Sequence, residues 1–268
     1  MTGDPTRSGD RRCPVLLVHG QPGLGSDWAA VVHRLSPAHV VLAPDRPGYG
    51  ASGPALGMRE NADLLARQLA GHELPAVVVG HSYGAGIAIF MADRHPDLVA
   101  GLVLVAPIGG RGSVVWLDRA LAAPIVGAAA SVTALAISAW LGPAVRRGLS
   151  RLGVDRLVEL ARYFPDEHAA GTAHGPSVWR SFVTEQRALV EELPALRGAV
   201  ARLHLPVVVV AGTRDMVVPA RASARLAAEI SGAELVSVSG AGHFLPGDAP
   251  GVVARAVSRL LRRCTAPG

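Results

Sequence analysis

The sequence predicts an α/β fold, in which a doubly wound, mostly parallel sheet carries helices on both faces. Short Val-rich runs alternate along the chain with helical patterns. These runs are nearly continuous in apolar residues, which is typical of parallel strands that are buried on both faces. The predicted strands are residues 14–19, 39–43, 76–80, 102–106, 206–211 and 234–238. The predicted helices between and after them are residues 26–35, 58–70, 83–94, 221–230 and 249–263.

The alternation of strands and helices stops in the middle of the chain. Residues 110–204 contain no convincing strand, but helical patterns are present at residues 154–163 and 177–193. We therefore expect a core made of residues 1–109 and 205–268, with residues 110–204 inserted as a helical lid. The first helix of the core is expected to begin with Ser26 as its N-cap.

Length and composition indicate one globular core. The chain has 268 residues, of which 50% are hydrophobic and 18% are charged, so a large buried core is expected and global disorder is not. The net charge of +5 comes entirely from Arg, because the chain has no Lys. These Arg residues are scattered as on solvated helix faces and no nucleic-acid-binding motif accompanies them, so nucleic acid is not an expected partner. The two cysteines form no CxxC pair, so neither a zinc site nor a disulfide framework is indicated.

The expected compartment is the cytoplasm. The first residues, MTGDPTRSGDRRC, are polar and charged and lack the apolar stretch of a secretory signal. An uncharged segment at residues 120–145 is long enough to span a bilayer, which makes membrane association an alternative. However, this segment is rich in Ala and Ser and contains Pro and Gly, and Ala contributes little to membrane insertion. The composition favours apolar lid helices.

One motif predicts a nucleophile. Residues 80–84 read Gly-His-Ser-Tyr-Gly, and they follow a predicted strand and open a predicted helix. This is the G-x-S-x-G nucleophile elbow in its required context. The turn must hold Ser82 in a strained backbone conformation so that its hydroxyl protrudes above the sheet, and a Cβ at either glycine would clash with nearby backbone. Ser82 is therefore the predicted nucleophile, whereas neighbouring His81 is expected to pack.

A serine hydroxyl needs a general base, and the base needs an acid to orient it. His243 stands directly after the last predicted strand, in a loop that should overhang the carboxyl edge of the sheet. Asp215 follows the fifth predicted strand and should lie at the same edge. The chain order Ser82, Asp215, His243 is the order expected for a G-x-S-x-G hydrolase. We therefore predict that these three residues form a catalytic triad.

An acyl-transfer site also needs donors for the developing oxyanion. The backbone N–H of Tyr83, which directly follows the predicted nucleophile, is one candidate. The backbone N–H of Gln21, in the glycine-containing loop after the first predicted strand, is the other. This chemistry acts on a small-molecule substrate and requires neither a metal nor an organic cofactor. Nothing in the pattern indicates an oligomeric state.

Together these motifs resemble those of the α/β-hydrolase superfamily. They are His-Gly-x-Pro-Gly at residues 19–23, Asp-Arg-Pro-Gly-Tyr-Gly-x-Ser at residues 45–52, the elbow, Gly-x-x-Asp at residues 212–215 and Gly-His at residues 242–243. The resemblance implies a turn at residues 45–52 that shapes the site without a catalytic role. The chain also departs from the family. The antiparallel strand pair that usually precedes the His-Gly strand looks missing, which leaves about six strands, and the lid matches no particular subfamily.

A Ser nucleophile indicates which reaction to expect. In this superfamily an Asp at the elbow goes with epoxide hydrolases and haloalkane dehalogenases, whereas Ser82 suits acyl transfer. The expected function is hydrolysis of a small, apolar carboxylic ester through an acyl-enzyme. One alternative is a C–C bond hydrolase of ring-cleavage dienoic acids, for which Arg180 and Arg187 are candidate carboxylate-binding residues. Another is a ligand-binding protein that has kept the fold without catalysis.

Overall fold

Six parallel strands form the sheet in the computed structural model, which describes residues 13–72, 74–114, 116–123 and 178–264. Their order across the sheet is β2-β1-β3-β4-β5-β6, and every neighbouring pair is parallel. The predicted fold class is confirmed. The strands are β1 (Val15–Val18), β2 (Val41–Leu42), β3 (Ala76–His81), β4 (Val99–Val105), β5 (Val207–Gly212) and β6 (Glu234–Val238).

Helices follow the strands along the chain. The described helices are α1 (Ala29–Leu35), α2 (Met58–Leu69), α3 (Tyr83–Arg94), α4 (Trp116–Ala122), α5 (Val178–Ala201), α6 (Ala220–Glu229), α7 (Leu245–Asp248) and α8 (Pro250–Cys264). Two short 3₁₀ turns, Gly25–Trp28 and Pro96–Leu98, precede α1 and β4.

Successive residues of a strand contribute their side chains to two separate cores, one on each face of the sheet. In β1, Leu16 and Val18 pack with α2, α3, α5 and α6, whereas Val15 and Leu17 pack with α1 and α8. This follows from the period of two in a strand, which turns successive side chains to opposite faces. The continuous Val-rich runs are therefore explained by burial on both sides, as expected for a doubly wound sheet.

The structure differs from the sequence prediction at three element ends. The second strand is only Val41–Leu42, shorter than the predicted 39–43, because it is an edge strand that pairs with β1 alone. The predicted N-cap at Ser26 is wrong, since Ser26 lies inside the 3₁₀ turn Gly25–Trp28, where the Asp27 carboxylate accepts the Leu24 N–H at 2.9 Å. Helix α5 continues past Pro194, and its last turns are buried in the core beside α3.

Only parts of the predicted insertion at residues 110–204 are described. Within them, α4 packs against α5, and α5 also contacts α2 and α3. The predicted helix at residues 154–163 and most of the apolar segment at residues 120–145 lie outside the described residues. None of the helices in the described ranges is both long enough and apolar enough to cross a bilayer.

Candidate active site

Ser82 lies in a strained turn between β3 and α3. Its backbone has φ 52° and ψ −114°, a conformation that a residue with a side chain rarely adopts, and the residue is buried. The flanking glycines make the turn sterically feasible. A Cβ on Gly80 would lie 2.3 Å from the Gly84 carbonyl oxygen, and a Cβ on Gly84 would lie 2.3 Å from the Val18 carbonyl oxygen. Strand β3, helix α3 and strand β1 therefore meet in closest contact at this serine.

The carboxyl edge of the sheet brings the predicted site residues to one side of the molecule. Gln21 follows β1, Ser82 follows β3, Asp215 follows β5 and His243 follows β6. Since all of these strands are parallel, the segments that follow them emerge at the same edge.

A small cavity of about 30 Å³ opens beside Ser82. Gln21, Tyr83 and Ser82 line it together, so the two predicted oxyanion residues and the predicted nucleophile share one space. The other lining residues are Ile108, Ser113, Asp118, Leu189, Val217 and Val218.

Asp215 and His243 are directly hydrogen-bonded. The distance from Nδ1 of His243 to Oδ2 of Asp215 is 2.8 Å, and both side chains are almost completely buried. The other carboxylate oxygen of Asp215 accepts the backbone N–H groups of Val217 and Val218 at 2.8 Å each. Because an ionised carboxylate only accepts, Nδ1 of His243 carries the proton in this contact.

His81 connects the serine turn to the histidine loop. Its Nε2 lies 3.0 Å from the backbone carbonyl oxygen of His243, and the two imidazole rings are 4.8 Å apart. A carbonyl accepts, so Nε2 of His81 is the donor. Burial, with a smaller electrostatic contribution from neighbouring His243, lowers the pKa of His81 to about 3. His81 is thus a neutral packing residue in the folded protein, as expected from the sequence.

A buried arginine holds the loop that contains Gln21. The guanidinium of Arg46 donates to the carbonyl oxygens of His19 at 3.1 Å and Gly20 at 2.7 Å. The backbone N–H of Arg46 donates to Nε2 of His19 at 2.9 Å, and Nδ1 of His19 lies 2.9 Å from the Gly20 carbonyl oxygen. The turn at residues 45–52 therefore fixes the loop after β1 through the three hydrogen bonds of Arg46, and the contact between His19 and Gly20 holds the loop internally.

Glu185, on α5, neutralises Arg46. Both side chains are fully buried and form an ion pair through Nη1 of Arg46, and the Tyr49 hydroxyl donates to the same carboxylate at 2.6 Å. Burial raises the pKa of Glu185, while the charge of Arg46 and the two hydrogen bonds lower it. This contact ties helix α5 to the carboxyl edge of the sheet.

A second series of buried hydrogen bonds includes the side chain of Gln21 itself. Nε2 of Gln21 donates to Oε1 of Gln186 at 2.6 Å, and Nε2 of Gln186 donates to the backbone oxygen and to Oδ1 of Asp118, at 3.1 Å each. Sequence reasoning missed these partners of Gln21 and also missed Glu185. The sequence gives little signal for them, because positions 185 and 186 lie in the polar run Thr-Glu-Gln-Arg at residues 184–187, which is typical of an exposed helix face.

Comparison with known proteins identifies the family. Residues 15–256 match the profile of the alpha/beta hydrolase family. The chain belongs to this family. It is 30% identical over 240 residues to a pimeloyl-[acyl-carrier protein] methyl ester esterase of Neisseria meningitidis, covering 85% of this chain and 86% of that protein.

Solved structures of alpha/beta hydrolases show the same fold. A thermophilic esterase from Thermogutta terrifontis superposes with a TM-score of 0.71 at 21% identity, covering 95% of this chain and 91% of the other. A meta-cleavage product hydrolase from Pseudomonas fluorescens superposes with a TM-score of 0.66 at 25% identity, covering 94% and 91%.

The two arginines considered for binding a substrate carboxylate do not line the cavity beside Ser82. Arg180 is exposed at the start of α5, and Arg187 is half-buried. Among the described residues, the side chain that lines this cavity and is ordinarily charged is Asp118.

The buried ion pair predicts a large stability effect. Replacing Glu185 with Gln should lower the free energy of unfolding by about 3–5 kcal/mol, because it leaves the buried charge of Arg46 uncompensated. Urea unfolding followed by circular dichroism measures this change. Arg94→Gln is the control, since Arg94 pairs with Asp63 near the surface, where the loss should stay below about 1 kcal/mol. Equal losses in the two variants would contradict the structural role given to Glu185.

His81 predicts a pH dependence of stability. Its lowered pKa means that the unfolded chain binds this proton below about pH 6.5 while the folded chain does not until about pH 3. The contribution of neutral His81 to the free energy of unfolding is thus complete above about pH 6.5 and is lost as the pH falls towards 3. His81→Gln keeps an N–H donor but does not titrate. Between about pH 4 and 5.5 the unfolding free energy of the variant should fall less steeply than that of the wild type, by about 1.4 kcal/mol per pH unit. Urea unfolding at each pH gives these free energies. An equal change with pH in the wild type and the variant would refute the lowered pKa of His81.

Proposed function

We propose that this alpha/beta hydrolase is a serine hydrolase that cleaves small carboxylic esters through an acyl-enzyme. The observation that carries the proposal is the strained turn at Ser82, with φ 52°, at the same sheet edge as the hydrogen-bonded pair Asp215 and His243. Backbone strain of about 1–3 kcal/mol persists where the surrounding structure enforces it, and such sites are concentrated at functional centres.

In the proposed mechanism Ser82 is the nucleophile. Its Oγ attacks the ester carbonyl carbon while Nε2 of His243 accepts the hydroxyl proton. Asp215 supports this step, because its hydrogen bond holds the proton of the neutral imidazole on Nδ1 and so directs the lone pair of Nε2 to the base role. The carboxylate also stabilises the imidazolium that forms, and the two backbone N–H groups on its other oxygen keep it oriented.

The negative charge on the carbonyl oxygen is proposed to be stabilised by the backbone N–H groups of Gln21 and Tyr83. Tyr83 is the first residue of α3, where N–H groups lack intrahelical partners and the helix dipole favours negative charge. His243 then returns its proton to the leaving alkoxide, which departs as an alcohol. Water, deprotonated by His243, attacks the acyl-enzyme, and His243 returns that proton to Oγ of Ser82 as the carboxylic acid leaves. Apart from water, these steps use side chains and backbone groups of the protein.

Ester hydrolysis fits the site better than C–C cleavage of a carboxylated dienoate. Among the described residues, the cavity beside Ser82 presents the carboxylate of Asp118 and contains no Arg. Burying a second carboxylate there without a countercharge would be costly. The relation to a methyl ester esterase supports the same choice. Because α4 and α5 contribute Asp118 and Leu189 to the cavity, we also propose that residues 110–204 act as a lid that selects the acyl group.

The proposal predicts the effect of removing each of the three side chains. Ser82→Ala, His243→Ala and Asp215→Asn should each lower kcat for a p-nitrophenyl ester by about 10³-fold or more, while the protein stays folded. Ser113→Ala is the matched control, because Ser113 lines the same cavity but donates its hydroxyl to the Gly110 carbonyl oxygen. It should retain kcat within about tenfold. Near-normal turnover by Ser82→Ala would refute the proposal.

A further inference from the structure

We infer that the acyl group of the substrate carries a hydroxyl on its second or third carbon, and that the side-chain oxygen of Gln21 accepts a hydrogen bond from it. This inference rests on the proposed ester hydrolysis and specifies its substrate class. It follows from which groups donate and which accept in the buried hydrogen bonds that join Gln21, Gln186 and Asp118.

Asp118 determines which group of each amide donates and which accepts. The two atoms of Asp118 that contact Gln186 are a backbone carbonyl oxygen and a carboxylate oxygen, at 3.1 Å each. Both only accept, so the group of Gln186 that faces them is its NH₂. The Oε1 of Gln186 must then face Gln21, and it accepts the NH₂ of Gln21 at 2.6 Å. Consequently the amide of Gln21 is oriented by its neighbours, with Oε1 as its remaining group.

Oε1 of Gln21 is a buried acceptor with no hydrogen-bond partner among the described residues. The residue is only 6% exposed, and Gln186 is 1% exposed, so water has little access to either amide. A buried acceptor without a donor costs about 1–3 kcal/mol. Gln21 lines the cavity that also holds Ser82. A substrate that donates a hydrogen bond to this oxygen would remove that cost on binding.

The dimensions of the site select the donor. The cavity beside Ser82 is small, about 30 Å³, so a compact donor such as a hydroxyl fits beside Gln21 more readily than a bulky one. A carboxylate offers no proton to donate, and an ammonium group would need several partners to offset its desolvation. Because Gln21 also supplies a proposed oxyanion N–H, its short side chain reaches only atoms near the ester carbonyl. This places the hydroxyl on the second or third carbon.

The test compares esters that differ by one hydroxyl. Ethyl butanoate is measured against ethyl 2-hydroxybutanoate and ethyl 3-hydroxybutanoate, each as separate enantiomers, and every kcat/KM is divided by the rate of alkaline hydrolysis of the same ester. One hydroxy ester should exceed ethyl butanoate by roughly 10- to 100-fold. A ratio near one for all of them overturns the inference.

Two variants assign the preference to Gln21. Gln21→Met keeps the backbone N–H and the side-chain length but removes the acceptor, and should bring the ratio to about one. Gln186→Leu removes the group that orients Gln21, and should reduce the ratio as well. Arg94→Gln is the control, because Arg94 pairs with Asp63 near the surface and does not line the cavity, and it should keep the ratio. A ratio that persists in Gln21→Met refutes the inference, and if that variant does not fold, the wild-type and Gln186→Leu ratios decide.

Labelling with a fluorophosphonate separates the two levels of the proposal. If Ser82 of the wild type is labelled and all of the esters are cleaved at similar rates, only the inference about the hydroxyl fails. If Ser82 is not labelled and no ester is cleaved, the proposed function fails and the inference fails with it.

Discussion

The close crossing of β3 into α3 is the constraint on which the rest of the structure depends. Ser82 has a positive φ in a turn that is possible because Gly80 and Gly84 stand on either side of it. A Cβ at either glycine would lie 2.3 Å from a backbone oxygen. After the crossing α3 packs into one apolar core, whereas β3 contributes side chains to the cores on both faces of the sheet. The central strands β1, β3, β4 and β5 are almost entirely buried and Val-rich, so the strain of this turn is offset by packing over a large area.

Arg46 supplies the second constraint, and it acts through polar contacts. One buried guanidinium joins the loop after β1, the turn at residues 45–52 and helix α5, through the carbonyls of His19 and Gly20 and the carboxylate of Glu185. A buried ion pair adds little net stability, because desolvating two charges offsets their attraction. The ion pair instead defines the position of α5, since any other packing of this helix would leave both buried charges without a partner. The position of Gln21 beside Ser82 therefore depends on a helix that is far away in sequence.

Local patterns in the sequence were enough to predict the fold class, because each strand is a short apolar run and each of the long core helices has a helical pattern. They also singled out Ser82, Asp215 and His243, since each follows a predicted strand and parallel strands end at one edge. The polar partners could not be predicted in this way. Glu185 and Gln186 reach the site only because α5 packs across α2 and α3, and no short-range pattern encodes that docking. The edge strand β2 was overestimated because hydrophobicity does not reveal how many residues pair with a neighbour.

Direct detection of an acyl-enzyme is the most decisive test of this account. Wild-type protein would be mixed with excess p-nitrophenyl ester, quenched in acid within the first turnovers, digested and analysed by mass spectrometry. If Ser82 is the nucleophile, the peptide that contains it gains an acyl mass, assigned to that serine by fragmentation, and nitrophenol is released in an initial burst of about one equivalent where deacylation is the slower step. An acyl group on a different residue, or turnover by Ser82→Ala at the wild-type rate, would contradict it.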